Sequence, residues 1–380
     1  MNKQHFVNAR IVTADQVIDG DLAVEDGQIG SIAGGALSGH VDTFDLQGDF
    51  LLPGLVEIHT DNLEKNIQPR PGVLWPSVLA SALAHDVQIA GSGITTVLDA
   101  LAIGGLREGG LDARILDESF RAICQGQEQQ LFKADHGIHL RCEVADAQME
   151  QHLSTYGEHS LVQLISVMDH TPGQRQWTDL DKWRLYHRDK RWSDQQAEQV
   201  RQERLELQQK HADNNRRLAI QFAQQRHISL ASHDDTTVAD AEESAAAGIK
   251  IAEFPTSISA ARTARQHGMA IVMGSPNVVR GGSHSGNISA YNLAQLDLLD
   301  GLSSDYVPAS LLHAVFHLSA RLDIPLPKTV AMVTTQVARM VGLEDRGEVS
   351  VGQRADLIQV KLVDGLPVVR HVWKRGELVF

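Results

Sequence analysis

The residues in this sequence that could do chemistry begin with His59 and Asp61, near the end of an apolar stretch at residues 50–62. The stretch predicts a buried strand. Side chains two apart on a strand point to the same side, so His59 and Asp61 are expected to share one face. An imidazole beside a carboxylate at a strand end is half of a metal site. So short a motif is also common at solvated strand ends, and its assignment therefore depends on the rest of the chain.

The elements that must position these residues alternate between strand and helix from residue 51 to residue 345. Apolar strand patterns recur along this region, with helical patterns between them, and eight of them fit a parallel arrangement. This alternation is typical of an α/β fold, the TIM-like (β/α)8 barrel. In such barrels the active site lies at the C-terminal ends of the strands.

Both ends of the chain have a residue pattern that differs from that of the barrel region. Residues 1–50 and 346–380 contain short strand patterns separated by turns such as Asp19-Gly20 and Asp364-Gly365. A few strands cannot bury an apolar face without a second layer. We therefore predict that the two termini pack together as one small β-sandwich domain beside the barrel.

Residues 178–226 interrupt the alternation with a dense run of Gln, Arg, Glu, Lys and Trp. Ser193 and Gln196 have the spacing of a capping box, which predicts the start of a helix. We interpret the segment as a helical insertion of two helices. Its charged residues indicate a solvated face, with a lid or an oligomer contact as the alternative.

The composition limits the class of protein. Hydrophobic residues make up 42% of the 380 residues and charged residues 22%, as in a globular enzyme, and the net charge is −14. This charge disfavours nucleic acid or an anionic membrane as the main partner. Cys124 and Cys142 form no C-x-x-C pair and are expected to be reduced thiols. With no signal-peptide pattern at the N-terminus and no window near membrane-span hydrophobicity, we expect a cytoplasmic protein.

Polar residues end several predicted barrel strands and should ring the barrel mouth. On the third strand His139, Arg141 and Glu143 share a face, and an all-polar face there is costly unless it lines a pocket. Imidazole and carboxylate groups suit zinc or another first-row divalent ion, bound as one or two ions. The predicted ligands are His59, Asp61, Glu143, His170 and His233, with Glu143 as the candidate for a bridge between two metals, and the predicted general base is Asp305.

Two patterns required a choice. Asp169 and His170 cannot both point inward on an ideal strand, and we assign the inward position to His170. His313 and His317 have the i, i+4 spacing of a helical zinc pair but lack its glutamate. Because their helix is expected to cover the outside of the barrel, we interpret this pair as structural.

A glycine-rich loop at residues 280–287 follows the seventh strand and could bind phosphate. Backbone N–H groups, hydroxyls and a cation are what phosphate oxygens bind, and an ordinary glycine-rich turn is the alternative. Arg70, between two prolines, is either a second phosphate contact or an exposed loop residue. The predicted substrate-binding residues are Arg280, Ser283, His284, Asn287 and Arg70.

Several motifs of this chain together resemble a known family. They are Pro53-Gly-Leu-Val-Glu-Ile-His-Thr-Asp-Asn-Leu-Glu64, Gln68-Pro-Arg-Pro-Gly72, Met168-Asp-His-Thr-Pro-Gly-Gln174, Gly274-Ser-Pro-Asn-Val-Val-Arg-Gly-Gly-Ser-His-Ser-Gly-Asn287 and Ser304-Asp-Tyr306. They are similar to the PhnM family of the carbon–phosphorus lyase pathway, within the amidohydrolase superfamily, and the similarity spans nearly the whole chain. It implies hydrolysis of alpha-D-ribose 1-methylphosphonate 5-triphosphate to the 5-phosphate and pyrophosphate. The sequence departs from the superfamily's commoner pattern at two places: the first strand carries His-x-Asp instead of His-x-His, and no lysine ends the fourth strand to act as a carbamylated bridge.

We therefore expect a metal-dependent hydrolase of a small ribose triphosphate, with Asp305 accepting the proton of the attacking water. The alternative is an amidohydrolase that cleaves a C–N bond of a cyclic amide with the same metals and base. A non-catalytic scaffold is a third possibility, which the collected histidines and aspartates argue against. We expect a homo-oligomer, with a dimer as one form.

Overall fold

The N-terminal strands belong to a sheet that the C-terminal strands complete. The computed structural model of the protein describes residues 3–32, 42–104, 113–283 and 286–380. β1 pairs with β2, β4 and β5, and β2 pairs with β3. The strands are β1 (Lys3–Val12), β2 (Val17–Glu25), β3 (Gln28–Ile32), β4 (Asp42–Asp45) and β5 (Phe50–Pro53).

The chain passes from this sheet to the barrel at Gly54. A Cβ at this position would lie 2.3 Å from the Thr95 hydroxyl oxygen, so only glycine fits the crossing. The sequence predicted one continuous strand that begins at Phe50 and runs into the barrel. The structure instead divides the stretch, with Phe50–Pro53 in the terminal sheet and Leu55–Thr60 in the barrel.

The barrel strands run parallel in sequence order. They are β6 (Leu55–Thr60), β7 (Ile94–Ile103), β8 (Asp135–Glu143), β9 (Val162–Met168), β10 (Ser229–His233), β11 (Ile251–Glu253), β12 (Ala270–Gly274) and β13 (Gly301–Ser303). The first and last strands meet just past their ends, where Thr60 and Asp305 form a parallel bridge. Asp305 N–H donates to the His59 carbonyl at 3.0 Å, and Asp61 N–H donates to the Asp305 carbonyl at 2.7 Å. These bonds nearly close the barrel, and the predicted TIM-like fold is confirmed.

Helices cover the barrel between its strands. Those before β10 are α1 (Asn62–Ile67), α2 (Val78–Gly91), α3 (Ala113–Glu128), α4 (Met149–Tyr156), α5 (Leu180–Tyr186) and α6 (Asp194–Arg226). Those after β10 are α7 (Val238–Ala246), α8 (Ile258–Gln266), α9 (Ser275–Arg280), α10 (Ala290–Gln295), α11 (Ser310–Leu322), α12 (Leu326–Ala331) and α13 (Thr335–Met340). In the described ranges, none of these helices has both the length and the apolar character needed to cross a bilayer.

The helical insertion contains the two helices that its sequence predicted, α5 and α6. Ser193 caps α6 with the expected capping box, in which Gln196 reaches back to the Ser193 backbone. Short 3₁₀ turns, Arg175–Trp177 and Arg188–Lys190, flank α5. The insertion is joined to the barrel without a break, because the same α6 continues as the helix that packs against β9 and β10.

The C-terminal segment seals the bottom of the barrel and then rejoins the terminal sheet. Val337, Ala338 and Val341 pack against Val56 and Leu98 inside the barrel. β14 (Leu357–Val363), β15 (Leu366–Lys374) and β16 (Glu377–Leu378) follow, and β14 pairs with β5. The strands of the two termini therefore join in a single hydrogen-bonded sheet, and Phe6 and Trp373 belong to a separate core cluster beside that sheet. The predicted domain boundaries stay a prediction.

Candidate active site

A cavity of about 960 Å³ opens at the C-terminal ends of the barrel strands. It brings together residues that are far apart in the sequence, because all the parallel strands end at the same rim. The predicted residues that line it are His59, Asp61, Glu143, His170, His233, Asp305, Arg280, Ser283 and Asn287. Arg70 is exposed and does not line the cavity, and His284 lies outside the described residues.

The first strand brings His59 and Asp61 to the cavity by irregular geometry. The pairing of β6 with β7 shifts register between Glu57 and Thr60, as a β-bulge does. As a result Ile58 packs in the barrel interior while His59, its neighbour, also lines the cavity. Asp61 lies beyond the strand, at the position that precedes α1. The two residues meet as expected, but the simple alternation on which the expectation rested does not hold.

Glu253 lies beneath two of the cavity histidines and is fully buried. Its Oε1 is 3.1 Å from Nδ1 of His59, and its Oε2 is 3.4 Å from Nδ1 of His233. Because a carboxylate accepts, each Nδ1 carries the donated proton and each Nε2 keeps its lone pair. This arrangement fixes both rings and presents two Nε2 atoms as ligands for a metal.

His139 contributes a third buried imidazole on the same floor. Its Nδ1–H donates to the Ile58 carbonyl at 3.0 Å, while its Nε2 has no hydrogen-bond partner among the described residues. Burial lowers the pKa of His59, His139 and His233 to about 3 in each case. All three are therefore neutral near pH 7, the form in which histidine binds a metal.

His170 lies between two carboxylates. Its Nδ1 is 2.6 Å from Glu143 Oε2, and its Nε2 is 3.7 Å from Asp234 Oδ2. Burial alone lowers the pKa of His170, but the charge and hydrogen bond of Glu143 outweigh it and the pKa is raised. Glu143 thus contacts His170 directly, and its role as a bridge between two metals stays a prediction. Asp169, the alternative to His170, instead accepts bonds from Thr171 and Gln208 and does not line the cavity.

Asp305 lies at the seam of the barrel, where the first and last strands meet. Its backbone is in the left-handed conformation, with φ at 53°. Asp234 and Phe254, which follow β10 and β11, share this conformation with φ at 58° and 54°. In each case the N–H still donates to the neighbouring strand while the chain turns. Non-glycine residues are uncommon here and Phe is rare, and such strain is concentrated at functional sites.

Buried carboxylates around this seam have raised pKa values. Burial raises the pKa of Asp305 to about 7, and the negative charge of Asp61 adds to the effect. Burial also raises the pKa of Asp234 to about 7 and that of Glu57 to about 8. Glu57 joins the first and last strands, since its two oxygens accept from the His59 and Ser304 N–H groups, each at 2.6 Å.

The donor set fits divalent metal. His59, Asp61 and Asp305 place ligand atoms within 4.8 Å of one another, and so do His170, His233 and Asp234. Asp234 Oδ2 is buried without a hydrogen-bond partner among the described residues, 3.6 Å from His233 Nε2. An unpartnered buried carboxylate oxygen facing two imidazoles is stabilised by a cation between them. The two neighbouring sets of candidate ligands suit one ion or two.

Sequence reasoning missed four residues of this site: Glu57, His139, Asp234 and Glu253. Glu253 ends the sixth strand, so the rule that selected His170 and His233 would also have selected it. His139 was recognised on the polar face of its strand but was not named as a ligand. Asp234 directly follows His233 and was not selected, although the left-handed turn brings both to the cavity.

The chain is similar in sequence to a protein of known name along nearly its whole length. The chain is 43% identical over 376 residues to alpha-D-ribose 1-methylphosphonate 5-triphosphate diphosphatase of Escherichia coli (strain K12). The match covers 98% of this chain and 99% of that protein. No protein-family model matches the chain.

Solved structures share the fold at low sequence identity. One is N-isopropylammelide isopropylaminohydrolase from Burkholderia multivorans, with a TM-score of 0.66 and 15% identity over 100% of this chain and 98% of that chain. Another is 5-methylcytosine deaminase from Klebsiella pneumoniae, also at 0.66 and 15%, over 99% and 97%. A structure described as an amidohydrolase matches at 0.66 and 15%, over 99% and 98%.

Proposed function

The chain belongs to the family of alpha-D-ribose 1-methylphosphonate 5-triphosphate diphosphatases, within the amidohydrolase superfamily, and we propose that it hydrolyses that triphosphate to the 5-phosphate and pyrophosphate. The observation that carries the proposal is the 43% identity to the Escherichia coli enzyme along almost the full length of both chains. The cavity supports it, because histidines and carboxylates suited to a metal lie on its floor and Arg280 lies at its edge.

In the proposed reaction, water adds to the α-phosphorus and the bond to the β-phosphate oxygen breaks. His59, Asp61 and Asp305 on one side, and His170, His233 and Asp234 on the other, are the residues that would hold divalent metal, which would polarise a phosphoryl oxygen and make water more acidic. Asp305 accepts the proton that the water loses. Its pKa near 7 suits this role, because a base works best when its pKa is close to the working pH.

Other side chains orient the reacting groups. Arg141 donates to Asp61 at 2.8 Å, and nearby carboxylates hold the pKa of this buried guanidinium above its usual range against the effect of burial. Arg141 therefore stays charged and fixes the Asp61 carboxylate at the rim of the cavity. Glu143 orients His170, and Glu253 orients His59 and His233.

The finer assignments belong to the same proposal. Imidazole and carboxylate ligands suit zinc, which we propose as the resident metal, and the two ligand sets suit two ions. We propose Arg280, Ser283 and Asn287 as phosphate-binding residues, since all three line the cavity. A cytoplasmic homo-oligomer stays a prediction, and sedimentation analysis of the purified protein would test its association. The similarity to C–N hydrolases is at the level of the fold, so it gives the cyclic-amide alternative no further support.

Product analysis tests the proposed reaction. Incubation of the purified protein with the ribose 1-methylphosphonate 5-triphosphate, followed by ³¹P NMR, should show the 5-phosphate and pyrophosphate in equal amounts. Release of orthophosphate with a remaining 5-diphosphate would show that a different anhydride bond is cleaved. An unchanged triphosphate in protein that contains its metal would contradict the proposed function.

A further inference from the structure

The N-terminal half of α6 and the residues before it form a segment that stands apart from the barrel wall. α6 contains 33 residues, which corresponds to about 50 Å, far longer than the strands it accompanies. Its buried residues Ala219 and Ala223 belong to the main core, whereas Ala197 belongs to a separate cluster with Trp177 and Trp183. We call residues 175–207 the roof segment.

The roof segment has its own aromatic core. Trp177 and Trp183 are buried, and Trp192 packs against them. The His187 ring stacks on Trp192 with 5.5 Å between centroids and 16° between planes, and Trp177 contacts Tyr186 at 4.9 Å. These contacts give the segment a fixed internal shape.

The roof segment is also fastened to the barrel. Arg175 is nearly buried and pairs with Asp235, which follows β10, and with Glu243 of α7 at 2.9 Å. Immediately after the last residue of the roof segment, the Gln208 side chain donates to Asp169 at 3.3 Å. Both attachments lie beside strands that supply His170 and His233, so the segment is held next to the candidate metal ligands.

From this position the roof segment turns cationic and aromatic side chains toward the cavity. Lys190 and Arg204 line it, together with Trp177, Tyr186 and His187. Among the described residues, the lysines and arginines of the lining are Lys65 and Arg141 near the strand ends, Arg280 of α9, and Lys190 and Arg204 of the roof segment. The roof segment therefore supplies two of these five cations.

We propose that the roof segment binds the β- and γ-phosphates of the substrate through Lys190 and Arg204, which line the same cavity as the candidate metal ligands. The inference rests on the proposed function and adds to it a second group of phosphate-binding residues, besides Arg280, Ser283 and Asn287. The physical reason is charge. A protein with a net charge of −14 must gather a triphosphate with local cations, and the strand-end carboxylates repel the phosphates that the metal does not neutralise.

The same contacts would act on the leaving group. When the α–β anhydride bond breaks, the bridging oxygen departs with the β-phosphate and the pyrophosphate gains negative charge. Ammonium and guanidinium groups placed beside that charge stabilise it as it develops. Lys190 and Arg204 should therefore favour both binding of the triphosphate and departure of pyrophosphate.

Inhibition by inorganic pyrophosphate tests the inference. In Lys190→Gln and Arg204→Gln the inhibition constant for pyrophosphate and the KM for the triphosphate should each rise about tenfold, the size of one charge-assisted contact. Inhibition by ribose 5-phosphate and the metal content should stay unchanged. The matched controls are Arg188→Gln in the same 3₁₀ turn and Arg201→Gln one turn earlier on α6, since neither side chain lines the cavity.

The outcomes separate the inference from the proposed function. If the wild type releases pyrophosphate from the triphosphate but both variants keep wild-type constants, the inference is wrong and the proposed function stands. If the variants weaken inhibition by ribose 5-phosphate as strongly as inhibition by pyrophosphate, the roof segment does not bind the β- and γ-phosphates selectively. The inference is then also wrong. If the wild type releases no pyrophosphate, the proposed function fails, and calorimetric binding of pyrophosphate to wild type and variants still decides whether the roof holds it.

Discussion

Asp305 combines the properties that a general base needs near neutral pH. It lines the cavity, burial raises its pKa to about 7, and its backbone is fixed by hydrogen bonds to His59 and Asp61. Its left-handed conformation turns the chain at the point where the first and last strands meet. The group that titrates and the group that closes the barrel are therefore the same residue.

Replacement of Asp305 by Asn should lower turnover by roughly 10²–10⁴-fold, because the amide keeps the size of the side chain but cannot accept a proton. Metal content, measured by elemental analysis, should stay close to that of the wild type because the other ligands remain. Turnover near the wild-type rate would assign the base to another residue. Asp234 would be the next candidate, since it lines the cavity and Asp169 does not.

Glu253 controls two histidines at once, so its loss should weaken the metal site more than the loss of an exposed carboxylate. In Glu253→Gln the side-chain volume is kept, but the charged acceptor for the His59 and His233 rings is lost. We expect metal affinity to fall about 10- to 100-fold, as measured by competition with a chelator. Glu242→Gln, an exposed change on α7, is the control. Equal affinities in the two variants would contradict the orienting role of Glu253.

Among the elements, α2 is joined to β7 and β8 by a buried chain of alternating acids and histidines. His136 lies 3.2 Å from Asp86 and 2.7 Å from Asp99, and His85 lies 2.7 Å from the other oxygen of Asp99. The Asn62 side chain, next to Asp61, is 3.0 Å from His85. Because each histidine is hydrogen-bonded to a carboxylate, we interpret this cluster as a structural support behind the active site.

His136 in this cluster predicts how stability depends on pH. Burial alone lowers the pKa of His136, but Asp99 and Asp86 outweigh it and raise the pKa to about 9. Because this exceeds 6.5, the value for an unperturbed histidine, protonated His136 stabilises the fold fully below pH 6.5, and the contribution is lost as the pH rises through 9. The stability advantage of the wild type over His136→Gln should therefore shrink by about 3 kcal/mol between pH 6.5 and 9.

Denaturant unfolding across that pH range measures this difference. His267→Gln, a change at an exposed histidine at the end of α8, should show no such trend. A gap between wild type and His136→Gln that stays constant from pH 6.5 to 9 would show that His136 is neutral in the folded protein.

The elements that could be predicted from the sequence are those with a regular period. The barrel strands are continuous apolar runs with polar residues at their ends, so parallel packing alone brings His170, His233 and Asp305 to one rim. The irregular positions could not be predicted. The bulge between Glu57 and Thr60 and the left-handed turns at Asp234 and Phe254 depend on pairing with neighbouring strands, which local sequence does not encode.

At the scale of the whole molecule, an acidic chain brings carboxylates together with lysine and arginine side chains in one cavity. Carboxylates and neutral imidazoles come from the barrel strands, while Lys190 and Arg204 come from a segment built outside the barrel. Arg70 shows the limit of reasoning from motifs, since it belongs to a family motif and yet lies outside the cavity lining. Only the long-range packing of the whole roof segment explains why Lys190, in a 3₁₀ turn, and Arg204, in α6, line the same cavity as the strand-end residues.

The central claim is that this cavity is a metal-dependent diphosphatase site, and one measurement tests it most directly. Pyrophosphate release from the ribose triphosphate should be followed with purified protein, with protein stripped by a chelator, and with stripped protein reloaded with zinc. We predict release by the purified protein, a loss of at least about 100-fold on stripping because Lewis-acid activation is removed, and recovery on reloading. Undiminished pyrophosphate release by protein shown to be free of metal, or no release by any of the three forms, would contradict the account.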